Sequence, residues 1–401
     1  MRSSQIDRRR LLQGASLLGG LPLVGLGGCV TGPVARPGPG FASIPPLAPI
    51  RASADRIFDI TVCLRPFRAA GPRLETEQVG DALVVHNYGH GGSGWSLSWG
   101  SSTLAVQMAM ASSPAEIAVV GCGALGLTSA ILAQRAGARV TIYCRDYLPQ
   151  TRSSLATGSW TPDSRIALAD KVAPGFPALW EQMARTSFKT YRSYLGLPGS
   201  PVEWADHYFV RNEPPGQARL PPPPGALDFA DYGDRILDIT PRAALLPEGS
   251  TPFPAPYVTR SAQLMFNIAD YGHTLINDFL IAGGRIQRQE FHAPGELAQL
   301  KEKVVINCPG YGARALWKDE SITPVRGQIA WLVPQPEVNY GVLYQGVNTV
   351  PRRDGIVVQM LEGGDMRGYG DDNETPDRDE ATTAVARIAE LYSRFPARER
   401  G

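Results

Sequence analysis

The sequence predicts an α/β fold in which a largely parallel, helix-flanked sheet is joined to a second, antiparallel one. Two observations carry that expectation. Between Glu116 and Tyr143 a buried strand, a glycine turn, a helix and a second strand follow one another without interruption. After Arg326, short β-rich runs succeed each other with no helix between them, at Gly327–Val333, Gly341–Gln345 and Gly355–Met360. With 43% of its 401 residues hydrophobic, the chain can bury a sizeable core, enough for two domains or one two-lobed body. A formal charge of +1 argues against a nucleic-acid partner, which needs a basic surface.

The first 29 residues are expected to be an address and not fold. Asp7-Arg8-Arg9-Arg10-Leu11-Leu12 resembles a twin-arginine export signal, followed by an apolar, glycine-rich run to Gly28. Leu26-Gly27-Gly28-Cys29 resembles a lipoprotein cleavage box, with Cys29 the lipidated residue. The expected location is therefore the periplasm or cell envelope, with a lipid anchor at the membrane. Residues 30–50 carry six prolines among small residues and read as a tether. The remaining cysteines, Cys63, Cys122, Cys144 and Cys308, sit in apolar or glycine-flanked runs and read as buried thiols. An oxidising compartment would allow a Cys122–Cys144 bridge, since both fall near ends of adjacent predicted strands, but buried thiols are the expected state.

Phe58–Leu64 reads as a strand ended by Arg65-Pro66, and Leu83–His86 as a second. His86–Gly100 holds five glycines and reads as a loop that lets backbone approach another molecule closely. A helix is expected over Leu97–Met110. Glu116–Val120 is the buried strand, and Gly121-Cys122-Gly123-Ala124-Leu125-Gly126 the turn into a helix over Leu127–Ala136. In this setting the glycines allow a tight turn, contact between backbone and a diphosphate, and close helix packing, with the helix N-terminus facing the phosphate. The domain is thus expected to be Rossmann-type and to bind a dinucleotide.

The acid expected after the next strand, Arg139–Tyr143, leaves Arg145 or Asp146 for the ribose. Thr151–Pro162 is hydroxyl-rich and suits a second ligand-facing loop. Helices are expected at Phe176–Leu195, Ala262–Ala282 and Ala384–Phe395, strands at Arg285–Phe291 and Lys303–Asn307, and a proline-rich surface connection at Asn212–Gly225. His86 and His90 stand four apart, but glycines between and after them argue for a loop, and no set of metal ligands is completed.

The chain resembles the D-amino-acid oxidase family. The likeness rests on H-N-Y-G-H-G-G-S-G-W at 86–95, the G-x-G-x-x-G turn, Leu64-Arg65-Pro66, Arg73-Leu74-Glu75, Thr151–Pro162, Ile239-Thr240-Pro241-Arg242, Val305–Gly310, Arg326-Gly327-Gln328-Ile329 and Val350-Pro351-Arg352. Their order is rotated. In the family the fingerprint comes first and the L-R-P and H-N-Y-G-H-G-G segments last, so the chain resembles a circular permutation joined through Ala111–Ala115. The expected domains are 51–170 with 262–325 for FAD, 171–261 with 326–370 for substrate, and a helix and tail over 371–401.

The resemblance implies FAD as cofactor, and hydride transfer from the α-carbon of a D-amino acid or related amine to flavin N5. Oxygen then reoxidises the flavin with release of hydrogen peroxide. It implies Arg65 on the substrate carboxylate, Tyr344 over the substrate, and the backbone of Gly92 as acceptor for the amine. FAD contacts are implied for Gly91, Gly92, Ser93, Gly94, Trp95 and Ser96 along the flavin, and for Gly121 to Gly126, Arg145, Asp146, Thr151, Arg152, Ser153, Gly158 and Ser159 elsewhere. Four residues after Tyr344 the family has a second tyrosine, where this chain has Asn348. Two alternatives stay open: a flavin dehydrogenase passing electrons to a membrane acceptor, which the anchor suggests, and a non-catalytic FAD-binding lipoprotein, which the departure at Asn348 suggests.

Overall fold

The computed structural model describes residues 47–215 and 225–395, all within one compact unit. The signal, Cys29, most of the tether and the proline run at 221–224 lie outside the described residues. No helix among the described residues is long and apolar enough to cross a membrane.

In chain order the elements are β1 (Ile57–Arg68), β2 (Arg73–Val79), β3 (Ala82–Tyr88), α1 (Gly94–Ala109), β4 (Glu116–Cys122), α2 (Ala124–Arg135) and β5 (Arg139–Tyr147). Next come α3 (Phe176–Tyr191), β6 (Val202–Arg211), β7 (Ala244–Leu245), β8 (Tyr257–Phe266), α4 (Ile268–Ile281), β9 (Arg285–Arg288), β10 (Val304–Asn307) and α5 (Ala313–Leu316). The chain closes with β11 (Ile322–Leu332), β12 (Tyr340–Tyr344), β13 (Val347–Arg352), β14 (Gly355–Met360) and α6 (Arg378–Ser393).

Two sheets organise these elements. The first runs β2-β3-β10-β4-β5-β9 and is parallel except for the edge pair β2/β3. Apolar faces of α1, α2, α3 and α4 cover one side in a single core that includes Val119, Leu127, Ile142, Tyr191 and Phe279. The second runs β1-β11-β14-β13-β12-β6-β8-β7. It is antiparallel with one exception, the parallel pair β12/β6. Helix α6 packs on its outer face through Ala384, Val385, Ile388 and Leu391, so the C-terminal helix shares this sheet's core.

Several expectations change. β1 does not stop at Arg65-Pro66; it continues to Arg68, paired with β11. It is an edge strand, where a missing N–H is tolerated, and it places part of the 51–170 range in the second sheet. The segment expected as the start of a helix at Ala262 is strand to Phe266, because β8 is paired along its whole length with β6. Tertiary pairing there overrides local propensity. The tether ends earlier than residue 50: Ile50 is buried, and Tyr340 donates to Ala48 O at 2.7 Å. The four described cysteines are all free.

The glycine-rich stretch is only partly a loop. His86–Tyr88 finishes β3, Gly89–Ser93 turns, and Gly94–Gly100 is already α1. Gly100 serves close helix packing: a Cβ there would stand 2.1 Å from Met183 O of α3. A Gly100→Ala variant is therefore expected to lose about 1–3 kcal/mol of stability through overpacking, read as a lower denaturant midpoint. Gly295→Ala, where a Cβ meets nothing within 4 Å, should leave the midpoint close to wild type.

Candidate active site

The site begins at the end of β4. Gly121 adopts φ +96°, and a Cβ on it would lie 2.4 Å from Cys308 O. On Gly126 a Cβ would lie 1.9 Å from Gly121 O, which is why the first turn of α2 can press against the strand. At Gly123 it would meet Ser153 Oγ at 2.7 Å. The hydroxyl of Ser153 accepts from the Ala124 N–H at 3.1 Å, so a loop hydroxyl already sits at the open N-terminus of α2.

From this turn a cavity of about 1000 Å³ runs between the two sheets, at the upper end of the size range for ligand pockets. One end is marked by Arg145 and Asp146, joined Nε to Oδ2 at 2.7 Å at the end of β5. Its middle is lined by Gly121 to Leu125, Thr151, Arg152, Ser153, Gly158 and Ser159. Gly91, Gly92, Gly94, Trp95 and Ser96 line it further along, with the Trp95 indole donating to Ser153 O at 2.8 Å. Arg65, Arg165 and Asn348 stand at the far end. A bare-backbone cradle at a helix N-terminus, continued by a long channel, fits a dinucleotide with an aromatic head.

Three expected residues are not brought into the cavity. Gly126 is enclosed between helix and strand. Ser93 is buried, and its Oγ donates to Ser164 O at 3.0 Å. Tyr344 points to the other face of its sheet, where its hydroxyl donates to Glu390 of α6 at 2.8 Å. Strand alternation explains this. Tyr344 pairs with Val347, and Leu343 with Asn348, so Tyr344 and Asn348 face opposite ways.

Asn348 is positioned by a residue the sequence did not single out. His207 of β6 meets Asn348 Oδ1 through Nε2 at 2.8 Å. Burial holds its pKa down at about 4, so it is neutral with the proton on Nε2 and donates, leaving the Asn348 amide N–H groups as donors. Gly341 makes room: a Cβ there would stand 2.5 Å from His207 Cδ2.

Arg65 lies on β1 facing the cavity. Among the described residues no carboxylate forms an ion pair with it, and burial lowers its pKa. The planar guanidinium fits over Gly327, where a Cβ would stand 2.1 Å from Nη1. Arg165 also escaped sequence reading, since it falls three residues beyond the hydroxyl-rich loop. Burial first, and the charge of Arg65 second, lower its pKa to about 10. The two histidines of the opening motif are tied elsewhere: His86 to Asn307 at 3.0 Å, His90 to Ser101 at 2.8 Å. Among the described residues no cluster is placed to hold a metal.

Cradle and channel together suit a dinucleotide, and the Arg65 guanidinium, without an ion-pair partner among the described residues, stands at the channel's end. The family model described as DAO, FAD dependent oxidoreductase, matches residues 116–400, and the chain belongs to that family, whose cofactor is FAD. It is 29% identical over 230 residues to a D-amino-acid oxidase of Streptomyces coelicolor, covering 56% of this chain and 61% of that protein. It is 24% identical over 290 residues to a D-amino-acid oxidase of Dictyostelium discoideum, covering 70% and 74%. Among solved structures, a glycine oxidase from Geobacillus kaustophilus aligns over 71% of this chain and 95% of its own, at 12% identity and a TM-score of 0.41.

The folded pKa of His207 lies below its unfolded value, so its neutral burial stabilises the fold above about pH 6.5 and this is lost as pH falls towards 4. His90, held at about 3, acts in the same sense. His207→Gln is expected to remove part of the acid lability between pH 6.5 and 4, by up to about 3 kcal/mol, measured by denaturant melts across that range.

Proposed function

We propose that the protein oxidises a D-amino acid or a closely related amine, with FAD as electron acceptor and oxygen as the acceptor that regenerates it, yielding hydrogen peroxide. The observation that carries this reading is the unpaired Arg65 guanidinium at the end of a channel that starts at a dinucleotide cradle. The named relatives support it, although the chain spans only 61% of the first of them. When bound, FAD supplies the hydride acceptor, and the protein supplies geometry. Arg65 holds the substrate carboxylate in two-pronged contact. Asn348, oriented by His207, offers a neutral donor on the same side. Gly91 and Gly92 bring bare backbone to the reacting region, where Gly92 N–H donates to Ser164 O at 3.0 Å and is thereby fixed.

The permuted order is part of the proposal. The family match starts at Glu116, yet the preceding strands are integral to both sheets, with β3 beside β10 and β1 beside β11. That arrangement supports a rotated chain. We also propose export with lipidation at Cys29, supported by the arginine run and the Leu26–Cys29 box.

The FAD-loaded protein, mixed anaerobically with a panel of D-amino acids, is expected to lose its flavin colour and to form peroxide when air is admitted. No bleaching by any member would refute the reading. Arg65→Ala should cut kcat/KM by about 10²-fold or more through loss of the carboxylate contact. For export, Cys29→Ala in a bacterial host should move the protein from the membrane to the soluble fraction. An unchanged distribution would remove the anchor.

A further inference from the structure

The main cavity does not end at Arg65. A smaller cavity of about 180 Å³ adjoins it and shares Arg65, Arg165, Gln359 and Leu361 with it. Four arginines line this annex, Arg65, Arg165, Arg326 and Arg367, against two acids, Asp371 and Glu380. Glu380 is taken by Arg367 at 2.6 Å, and Asp371 stands 3.9 Å from Arg326. Arg65 and Arg165 are the two cations left facing both spaces.

Arg165 is fixed but not neutralised. Its Nε and Nη2 donate to the backbone oxygens of Asp365 and Gly364 at 2.9 Å each. Those contacts lock the side chain and leave Nη1 free of them. The Asp365 carboxylate stands 3.7 Å from Nε and is 55% exposed, so solvent weakens that pair. The remaining acids of the main cavity have partners: Asp146 and Glu290 on Arg145, Glu374 on Arg152. Two buried guanidinium groups that repel each other across one cavity are an arrangement that anionic charge relieves.

We propose that the site takes an amine bearing two carboxylates, an acidic D-amino acid or a dicarboxylate of equal charge, with its α-carboxylate on Arg65 and its second carboxylate in the annex on Arg165. This names the substrate class of the amine-oxidising site above and rests on that reading. The annex gives the second group its own space, which a single carboxylate clamped by both arginines would leave unfilled.

Two inert acids of equal length test the proposal on the FAD-loaded protein. Succinate should bind at least about tenfold more tightly than butyrate by titration calorimetry, a difference set by one added charge-assisted contact. Arg165→Gln should weaken succinate binding more than butyrate binding and so bring the two affinities together. Because Arg165 also ties a loop, Asp365→Asn serves as a second variant on an exposed side chain. Removing the competing carboxylate should raise succinate affinity severalfold relative to butyrate. Butyrate binding as tightly as succinate, or an unchanged ratio in both variants, would overturn the proposal. In turnover, D-aspartate or D-glutamate should exceed D-asparagine and D-glutamine in kcat/KM. Preference for the amides sinks the dicarboxylate proposal and leaves amine oxidation standing. Failure of every amino acid sinks amine oxidation, while the succinate-to-butyrate ratio still decides the charge of the ligand.

Discussion

The cavity depends on how closely two stretches of backbone can approach, Gly89–Ser93 on one side and Ser164–Arg165 on the other. A Cβ on Gly91 would stand 1.9 Å from Arg165 O, and one on Gly92 2.5 Å from Ser164 Oγ. The turn is held from both sheets. Gly91 N–H donates to Pro66 O of β1 and Gly92 N–H to Ser164 O, each at 3.0 Å, while His90 bridges to Phe67. The segment leaves β3 of the first sheet, touches β1 of the second and re-enters the first layer as α1. Side chains at these glycines would push the layers apart and open the floor on which Arg65 and Arg165 are set.

That constraint explains the division between what the sequence made legible and what it hid. The glycine turn after β4 was readable because strand, turn and helix are local, and each glycine answers a contact within the same unit or its neighbour. Gly327 and Gly341 were not readable as more than strand residues. Their purpose is to leave room for Arg65 and His207, which come from strands distant in sequence. Tyr344 shows the same limit in sharper form. The family resemblance put it over the substrate, but a hairpin's register decides which face each residue takes, and the two faces hold different chemistry: α6 on one, the cavity on the other.

Arg165 was hidden for another reason. It has φ +48°, an uncommon backbone state for an arginine, and it follows a motif whose hydroxyls and glycine drew attention upstream. Nothing in P-D-S-R announces a ligand. Only the folded chain shows that its charge opposes that of Arg65 and that its contacts are carbonyls and an exposed carboxylate.

The electrostatics of the far end then follow from burial. A guanidinium taken from water with little counter-charge is costly, and here two such groups line one cavity, with the pKa of Arg165 lowered to about 10 by burial and by the charge of Arg65. Neutral residues complete the wall: Asn348, kept as a donor by an uncharged His207, and Gln359 from β14 beside it. The acids that line this end stand beside arginines, Asp365 by Arg165 and Glu374 by Arg152, so its charge favours an anionic group. On the proposed reading, a bound carboxylate would act on the fold as well as on affinity, since it would give Arg65 the ion-pair partner that no described residue supplies.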